Sequence, residues 1–312
     1  MRRMFSAGLL AAALVAGTAA TVEAQTFPER PVTIVVGYAA GGSVDAVTRV
    51  LAHEMSDILG QSVIVENRPG AGGSVAATQI MSEKPDGYTL MSTTSTTLTF
   101  DPHAGDLAFD VSDFDPIGVI SVFQEAYVTR TGSEWQTMQD VIERAKTTPM
   151  TYGSSTQIDR VITAIIAAET GAQLIPVPTG GGADVMTAVL GGHVDFGYSA
   201  GIHAGHVAAG DMIVLASLGE DRLVASPDAP TLKELGIDAA SINYNVLLAP
   251  AGLPDDVRDI LVRAFEEAWA RDAVQSVIDA RKLGKVELTG SALGEALRSH
   301  SESYRRMIEA AK

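Results

Sequence analysis

The chain has 312 residues, no cysteine, and 38 acidic against 22 basic side chains, for a formal net charge of -16. Zero cysteines exclude disulfides, thiolate metal sites and cysteine nucleophiles, and an acidic balance without a Lys/Arg patch argues against nucleic acid as a partner. An anionic small ligand stays compatible, because a helix N-terminus acts locally whatever the whole surface carries.

Residues 1–24 begin with Arg2 and Arg3, continue through an apolar run over 9–16 and close on Val22-Glu23-Ala24. That order of charge, apolar core and small residues predicts a cleavable secretory signal peptide, with the mature chain starting at Gln25. The apolar run is too short to span a bilayer, which disfavours a retained anchor. Arg2-Arg3 faintly resembles a twin-arginine leader but also suits an ordinary one, and the general secretory route is favoured. An exported, soluble protein is expected.

The run Val32-Thr33-Ile34-Val35-Val36 is short, apolar and β-branched, which predicts a buried strand. A small-residue turn follows, Gly37-Tyr38-Ala39-Ala40-Gly41-Gly42. Ser43 then opens a helix over 43–59, with Val44, Val47, Leu51, Met55 and Ile58 on one face and Gly60 as its stop. Backbone donors and the positive end of that helix face whatever lies above the strand ends. A second strand over 62–66 runs into the glycine-rich Asn67-Arg68-Pro69-Gly70-Ala71-Gly72-Gly73-Ser74, and a third over 88–92 ends in Thr93-Thr94-Ser95-Thr96-Thr97. Three strands ending in small, polar loops predict a cleft at their carboxyl ends.

The middle of the chain repeats the theme. A helix over 137–146 leads to a strand over 150–152, the loop Gly153-Ser154-Ser155-Thr156-Gln157 and a helix carrying Val161, Ile162, Ile165 and Ile166. A strand over 173–178 ends in Thr179-Gly180-Gly181-Gly182 before a helix with Val185, Met186, Val189 and Leu190. Strands over 194–198 and 212–217 complete a second sheet, so two α/β units face each other. A strand over 242–249, an amphipathic helix starting at Pro254 and Asp255, a short strand over 285–288 and a helix over 292–311 read as scaffold packed back on the first unit.

The fragments Phe27-Pro28-Glu29-Arg30-Pro31-Val32, Ala39-Ala40-Gly41-Gly42-Ser43-Val44-Asp45, Val65-Glu66-Asn67-Arg68-Pro69-Gly70-Ala71-Gly72-Gly73, Pro85-Asp86-Gly87-Tyr88-Thr89-Leu90, Asp113-Phe114-Asp115-Pro116-Ile117, Pro230-Thr231-Leu232-Lys233-Glu234-Leu235-Gly236 and Ala249-Pro250-Ala251-Gly252-Leu253-Pro254 occur in this order over nearly the whole mature chain. In them the chain resembles the Bug family, the extracytoplasmic solute receptors of tripartite tricarboxylate transporters. The resemblance implies an α/β, type II periplasmic binding-protein fold: two domains, each a mixed sheet flanked by helices, joined by two crossing strands with the ligand cleft between them. Domain 1 would comprise residues 25–124 and 246–312, and domain 2 residues 125–245, with hinges near 124 and 245. It also implies a periplasmic monomer without cofactor or metal, a carboxylate-bearing small organic acid as ligand (a di- or tricarboxylate, an aromatic acid or similar), and delivery to a permease of one small and one large membrane subunit.

By the same resemblance the loop of Tyr38, Ala39, Ala40, Gly41, Gly42, Ser43 and Asp45 holds a ligand carboxylate through backbone groups, hydroxyls and ordered water. No Arg or Lys lies in that loop, and helix N–H groups can hold an anion without one. Thr93, Thr94 and Ser95 would form the second wall on domain 1, faced by Ser154, Ser155, Thr156, Thr179, Gly180 and Gly181 on domain 2. The chain departs from the family at Gly37, where proline is usual. It departs again at Ser154-Ser155-Thr156-Gln157-Ile158-Asp159-Arg160 and at Pro178-Thr179-Gly180-Gly181, so a specific ligand is not inherited. Arg160 is either a solvated or Asp159-paired helix charge or, with Gln157, a contact to a polar group of the ligand.

Gly197-Tyr198-Ser199-Ala200-Gly201 fits the G-x-S-x-G elbow of a serine hydrolase, the rival reading. His203 and His206 stand too close in sequence for the usual third partner, His300 falls in a peripheral helix, and a nucleophile without partners is not a triad. His203 and His206 share a helical face, but nothing makes them converge with His193 and Asp195 on a metal, and Asp195 and Asp211 do not form a catalytic pair. Trp135 and Trp269 read as packing residues. The sequence thus predicts a binding protein, not an enzyme.

Overall fold

The computed structural model describes residues 27–311, and the segment read as a signal peptide lies outside them. Two five-stranded mixed sheets form the frame. The first holds β1 (Val32–Val36), β2 (Val63–Asn67), β3 (Thr89–Thr94), β4 (Phe114–Val122) and β10 (Tyr244–Pro250), in the order β2-β1-β3-β10-β4. The second holds β5 (Ala126–Arg130), β6 (Met150–Ser154), β7 (Leu174–Pro178), β8 (Phe196–Ser199) and β9 (Met212–Ser217), in the order β7-β6-β8-β5-β9.

The two orders are the same pattern. Three parallel strands run 2-1-3 in each lobe, and an antiparallel strand is inserted beside the third. The inserted strand of the first sheet is β10, which returns after the whole second lobe; that of the second is β5, which enters it from β4. The chain therefore crosses between lobes at residues 123–125 and again before β10. The family resemblance implied two crossing strands with hinges near 124 and 245, and a strand over 242–249 was read from the residues, but β4 and β5 were not.

Local sequence explains the elements that matter for the cleft. All five residues of β1 are β-branched, and four of the five are wholly buried, as suits a strand covered on both faces. The helix α1 (Ser43–Leu59) buries Val44, Val47, Leu51 and Met55 and stops at Gly60, whose φ of 64° is the left-handed C-cap conformation that glycine adopts without cost. At the far edge of the second sheet, Pro176 and Pro178 sit in β7, where an absent N–H breaks no ladder.

The C-terminal region differs from its sequence reading in two ways. Residues 285–288 form no strand; isolated bridges at Gly284 and Thr289 tie this stretch to β4. The last helix, α11 (Gly290–Ala310), does not pack on the first lobe alone. Leu293 and Leu297 belong to the first lobe's core, whereas Tyr304 is buried in the second lobe's core with Met307 and Ile308 packed beside it. One helix thus spans both lobes.

Candidate functional site

In an open α/β sheet ligands lie above the strand ends where the order reverses, which here means between β1 and β3 and between β6 and β8. The two reversal points face each other across a cavity of about 740 Å³. Tyr38 and Gly42 after β1, Thr94 at the end of β3 and Thr96 after it, Ser155 and Thr156 after β6, and Tyr198 and Ala200 at β8 all line it. No Lys, Arg or His is among its lining residues.

On the first lobe the cleft meets the start of α1. Gly42 is the N-cap, in extended conformation and with no side chain to offer, so the first-turn N–H groups are left for something else. The loop before it is held from behind. Asp45, 2% exposed, accepts from Gly41 N at 2.8 Å and from Asn67 Nδ2 at 2.7 Å, and pairs with Arg49 at 2.9 Å. Burial would raise the Asp45 carboxyl, but the bonds from Arg49, Gly41 and Asn67 outweigh it and hold it below its ordinary value. The guanidinium of Arg281 reaches Ser43 Oγ at 3.5 Å from outside.

Tyr38 closes the wall. Its hydroxyl donates to Gly72 O at 2.7 Å and lies 2.8 Å from Thr94 Oγ1, and burial raises its pKa, keeping it a neutral donor. Gly73 lets the neighbouring loop approach: at φ 101° a Cβ there would stand 2.6 Å from Thr93 Oγ1.

The second lobe presents a different helix end. The helix α6 (Gln157–Thr170) is capped by its own residues. The Asp159 carboxylate accepts from Ser154 Oγ at 2.7 Å, Ser155 N at 2.9 Å and Thr156 N at 2.8 Å, while Thr156 Oγ1 accepts from Asp159 N. The start of α6 thus differs from that of α1 in having a side-chain cap, Thr156 Oγ1 on the N–H of Asp159.

The floor of the cleft is the crossing segment. Glu125 is 2% exposed, accepts from Asn243 Nδ2 at 2.8 Å through Oε1, and leaves Oε2 without a partner. Burial raises its pKa. From Asn243 the polar contacts continue through Thr96 and Thr94 to Tyr38, so a chain of side chains runs along the first lobe from hinge to α1 loop. Asp101 also lines the cleft; it is half-buried, and desolvation pushes its carboxyl up to about 6.

A family model described as the tripartite tricarboxylate transporter family receptor, TctC, matches residues 47–311. The chain belongs to this receptor family. It is 37% identical over 270 residues to a UPF0065 protein of Cupriavidus necator, covering 84% of this chain and 82% of that one. It is 32% identical over 310 residues to a UPF0065 protein of Bordetella bronchiseptica, covering 97% and 92%. A solved TctC solute-binding protein from Polaromonas superposes with a TM-score of 0.81 at 26% identity, over 91% of this chain and 99% of that one. The chain is thus a TctC-family solute receptor with the two-sheet periplasmic binding-protein fold, as the sequence resemblance implied, and the family is one of receptors rather than enzymes.

The G-x-S-x-G serine is built into a turn behind the cleft. Ser199 is 0% and His203 1% exposed, and neither lines the cleft. Ser199 Oγ accepts from Gly201 N and His203 N and lies 3.0 Å from His203 Nδ1. Burial lowers His203 to about 4, a neutral ring serving as an internal partner in a turn. Trp135 and Trp269 donate to the carbonyls of Asp195 and Ile120, the packing role expected of them.

Of the residues singled out in the sequence, Tyr38, Gly42, Ser43, Thr94, Ser155, Thr156 and Gln157 are brought together around the cavity. Ala39, Ala40 and Gly41 belong to the same loop without lining it. Asp45, Thr93 and Ser154 are buried supports behind the wall, and Ser95 is buried at the hinge, where its hydroxyl accepts from Tyr244 N at 2.9 Å. Arg160 is exposed and outside the lining; Asp159 turns inward to the cap instead of pairing with it. Thr179 Oγ1 donates to Ser154 O at 3.0 Å, and Thr179, Gly180 and Gly181 stand away from the cavity. Glu125, Asp101 and Asn243 were not foreseen. A lone acid between Phe123 and Tyr127 in an otherwise apolar stretch was the available signal for Glu125.

Proposed function

We propose that this receptor is exported to the periplasm, captures a carboxylate-bearing small organic acid between its lobes as a monomer, and passes it to the membrane permease subunits of a tripartite tricarboxylate-type transporter. The observation that carries the reading is the start of α1: a glycine N-cap leaves its N–H groups uncapped at the mouth of a cleft that lies at two facing reversal points. The carboxylate is held by those N–H groups and by the hydroxyls of Ser43 and Thr94, with Ser155, Thr156 and Gln157 meeting the ligand from the second lobe. Arg160, Thr179, Gly180 and Gly181 join only on closure.

Two structures of the same fold, each 22% identical, favour this ligand class: MatC from Rhodopseudomonas palustris with bound malate, and a second protein of that organism with adipate. Closure turns on residues 123–125 and 242–243, and contacts from both lobes favour the closed state. A thermal-shift screen of the purified chain against di- and tricarboxylates, aromatic acids and amino acids tests the reading, since a ligand that binds only the folded state raises the midpoint. A rise with one class of carboxylic acid is expected; a flat response to the whole panel contradicts it.

A further inference from the structure

We propose that a cavity behind the crossing segments sets the balance between the open and the closed receptor: the Gln124 amide ties its two sides together while the cleft is open, and bulk placed in it closes the cleft without touching the ligand. The device works whatever organic acid the cleft takes.

The crossing segments pair as a two-stranded ribbon, in which Phe123 N donates to Asn243 O at 2.9 Å. The cleft lies on one side of the ribbon, and a second cavity of about 210 Å³ lies on the other. Phe123 and Glu125 reach both. Of the two cavities, however, Asn243 lines only the cleft, whereas its neighbours Ile242 and Tyr244, together with Gln124, line only the rear one. That is the period-two alternation of an extended chain. The hinge therefore stands between two spaces of opposite response, and a rotation of the lobes that narrows one widens the other.

Both lobes bound the rear cavity. Gly284 is on the first, held by backbone hydrogen bonds to Val122 at the end of β4, and Val224 is on the second, beyond β9. Gln124 stands between them. Its Nε2 packs over Gly284 so closely that a Cβ there would stand 2.8 Å away, and its Oε1 accepts from Val224 N at 2.7 Å. Tyr244 of β10 also meets the second lobe here: burial, and then the charges of Glu220 and Asp221, raise its phenol. Thr179, Gly180 and Gly181 meanwhile stand off the cleft cavity. The lobes thus touch behind the ribbon and stand apart in front of it. Gln124 follows β4 by two residues and travels with the first lobe, so closing the front draws Val224 away from it. The Gln124–Val224 bond belongs to the open state, and a side chain too large for the rear cavity belongs to the closed one.

The chain has no cysteine, so one pair of spin labels can be placed cleanly. Thr78→Cys on α2 (Ser74–Ile80) and Thr187→Cys on α7 (Gly182–Leu190) are exposed, on helices that begin at the cleft faces of the two lobes. Dipolar electron resonance of the ligand-free chain compares this labelled parent with Val224→Trp and Gln124→Ala, melting curves showing that each is folded. Val224 is 64% exposed, so its replacement enters the cavity from the surface. Both variants should at least double the population at the short, closed-lobe distance. In the unlabelled chain Val224→Trp should bind malate or adipate threefold or more tightly, because apparent affinity rises with the fraction already in the binding form. Distances identical to the parent's in both variants, or longer ones, overturn the proposal, and a shift in Val224→Trp alone overturns the Gln124 tie. A wild type that binds neither acid counts against the carboxylate reading only, since the distances are read without ligand.

Discussion

The Tyr304 hydroxyl closes a double hydrogen bond on one residue of the second crossing segment: it accepts from Ile242 N at 2.7 Å and donates to Ile242 O at 3.0 Å. Tyr304 is 2% exposed and its ring packs edge-on against Phe100 of the first lobe, 5.5 Å between centroids. One side chain of the last helix therefore touches both lobes and the segment that joins them. Tyr304→Phe keeps the ring and orphans both backbone groups, a loss of about 1–3 kcal/mol in urea unfolding. Amide exchange should quicken over residues 304–311; unchanged stability would show that water replaces the hydroxyl.

The first residue of α1 allows a clean separation of backbone from side chain. Gly42 has φ -68° and ψ 174°, a conformation that a following proline permits, and Ser43 occupies the helix position where proline is tolerated. Ser43→Pro should leave stability within about 0.5 kcal/mol of wild type while removing one N–H from the carboxylate. Losing a hydrogen bond to a charged group corresponds to roughly ten- to a hundredfold weaker binding, read by titration with the best organic acid. Ser43→Ala, which keeps the N–H, should lose less. Equal losses in the two variants would assign the contact to the hydroxyl.

Asp159 offers the contrasting case on the second lobe. It is 0% exposed and accepts from Ser154, Ser155 and Thr156. Asp159→Asn replaces acceptor capacity with an amide donor facing N–H groups, and should destabilise by about 2–3 kcal/mol in chemical denaturation. If instead the variant is as stable as wild type, the cap is dispensable.

Asp101 gives a pH signature of defined sign. Burial lifts its carboxyl from 3.8 to about 6 in the folded chain, so between those values the native state binds more protons than the unfolded one, and this group's contribution makes stability fall as pH rises. Asp101→Asn lacks that penalty. It should exceed wild type by about 1–2 kcal/mol at pH 7, with partial solvation trimming the full linkage value, and the gap should close by about pH 4. A constant gap across that range would mean the gain has another origin.

Much of this architecture could be read in the chain. Gly60 marked the end of α1, Asn67–Gly73 and Thr93–Thr97 marked neighbouring cleft loops, and the ordered family fragments supplied the fold. What could not be read depended on contacts made across the sequence. Leu293, Leu297 and Tyr304 have helical spacing, which shows that α11 has an apolar face but not that its two halves face different lobes. Glu125 carries no periodic signal, because its burial comes from a segment crossing between sheets. Thr156-x-x-Asp159 did carry one, the spacing of a capping box; it explains why the second lobe's loop spends its donors internally.

The most direct test of the cleft is hydrogen–deuterium exchange of the purified chain with and without the organic acid that raises its midpoint most. The account predicts slowed exchange at residues 42–46, 94–97, 123–125, 155–158 and 198–200, on both lobes at once, with α9 (Asp255–Trp269) unaffected. Protection confined to one lobe, or centred on the region around Ser199 and His203 without the α1 start, would contradict capture between the lobes.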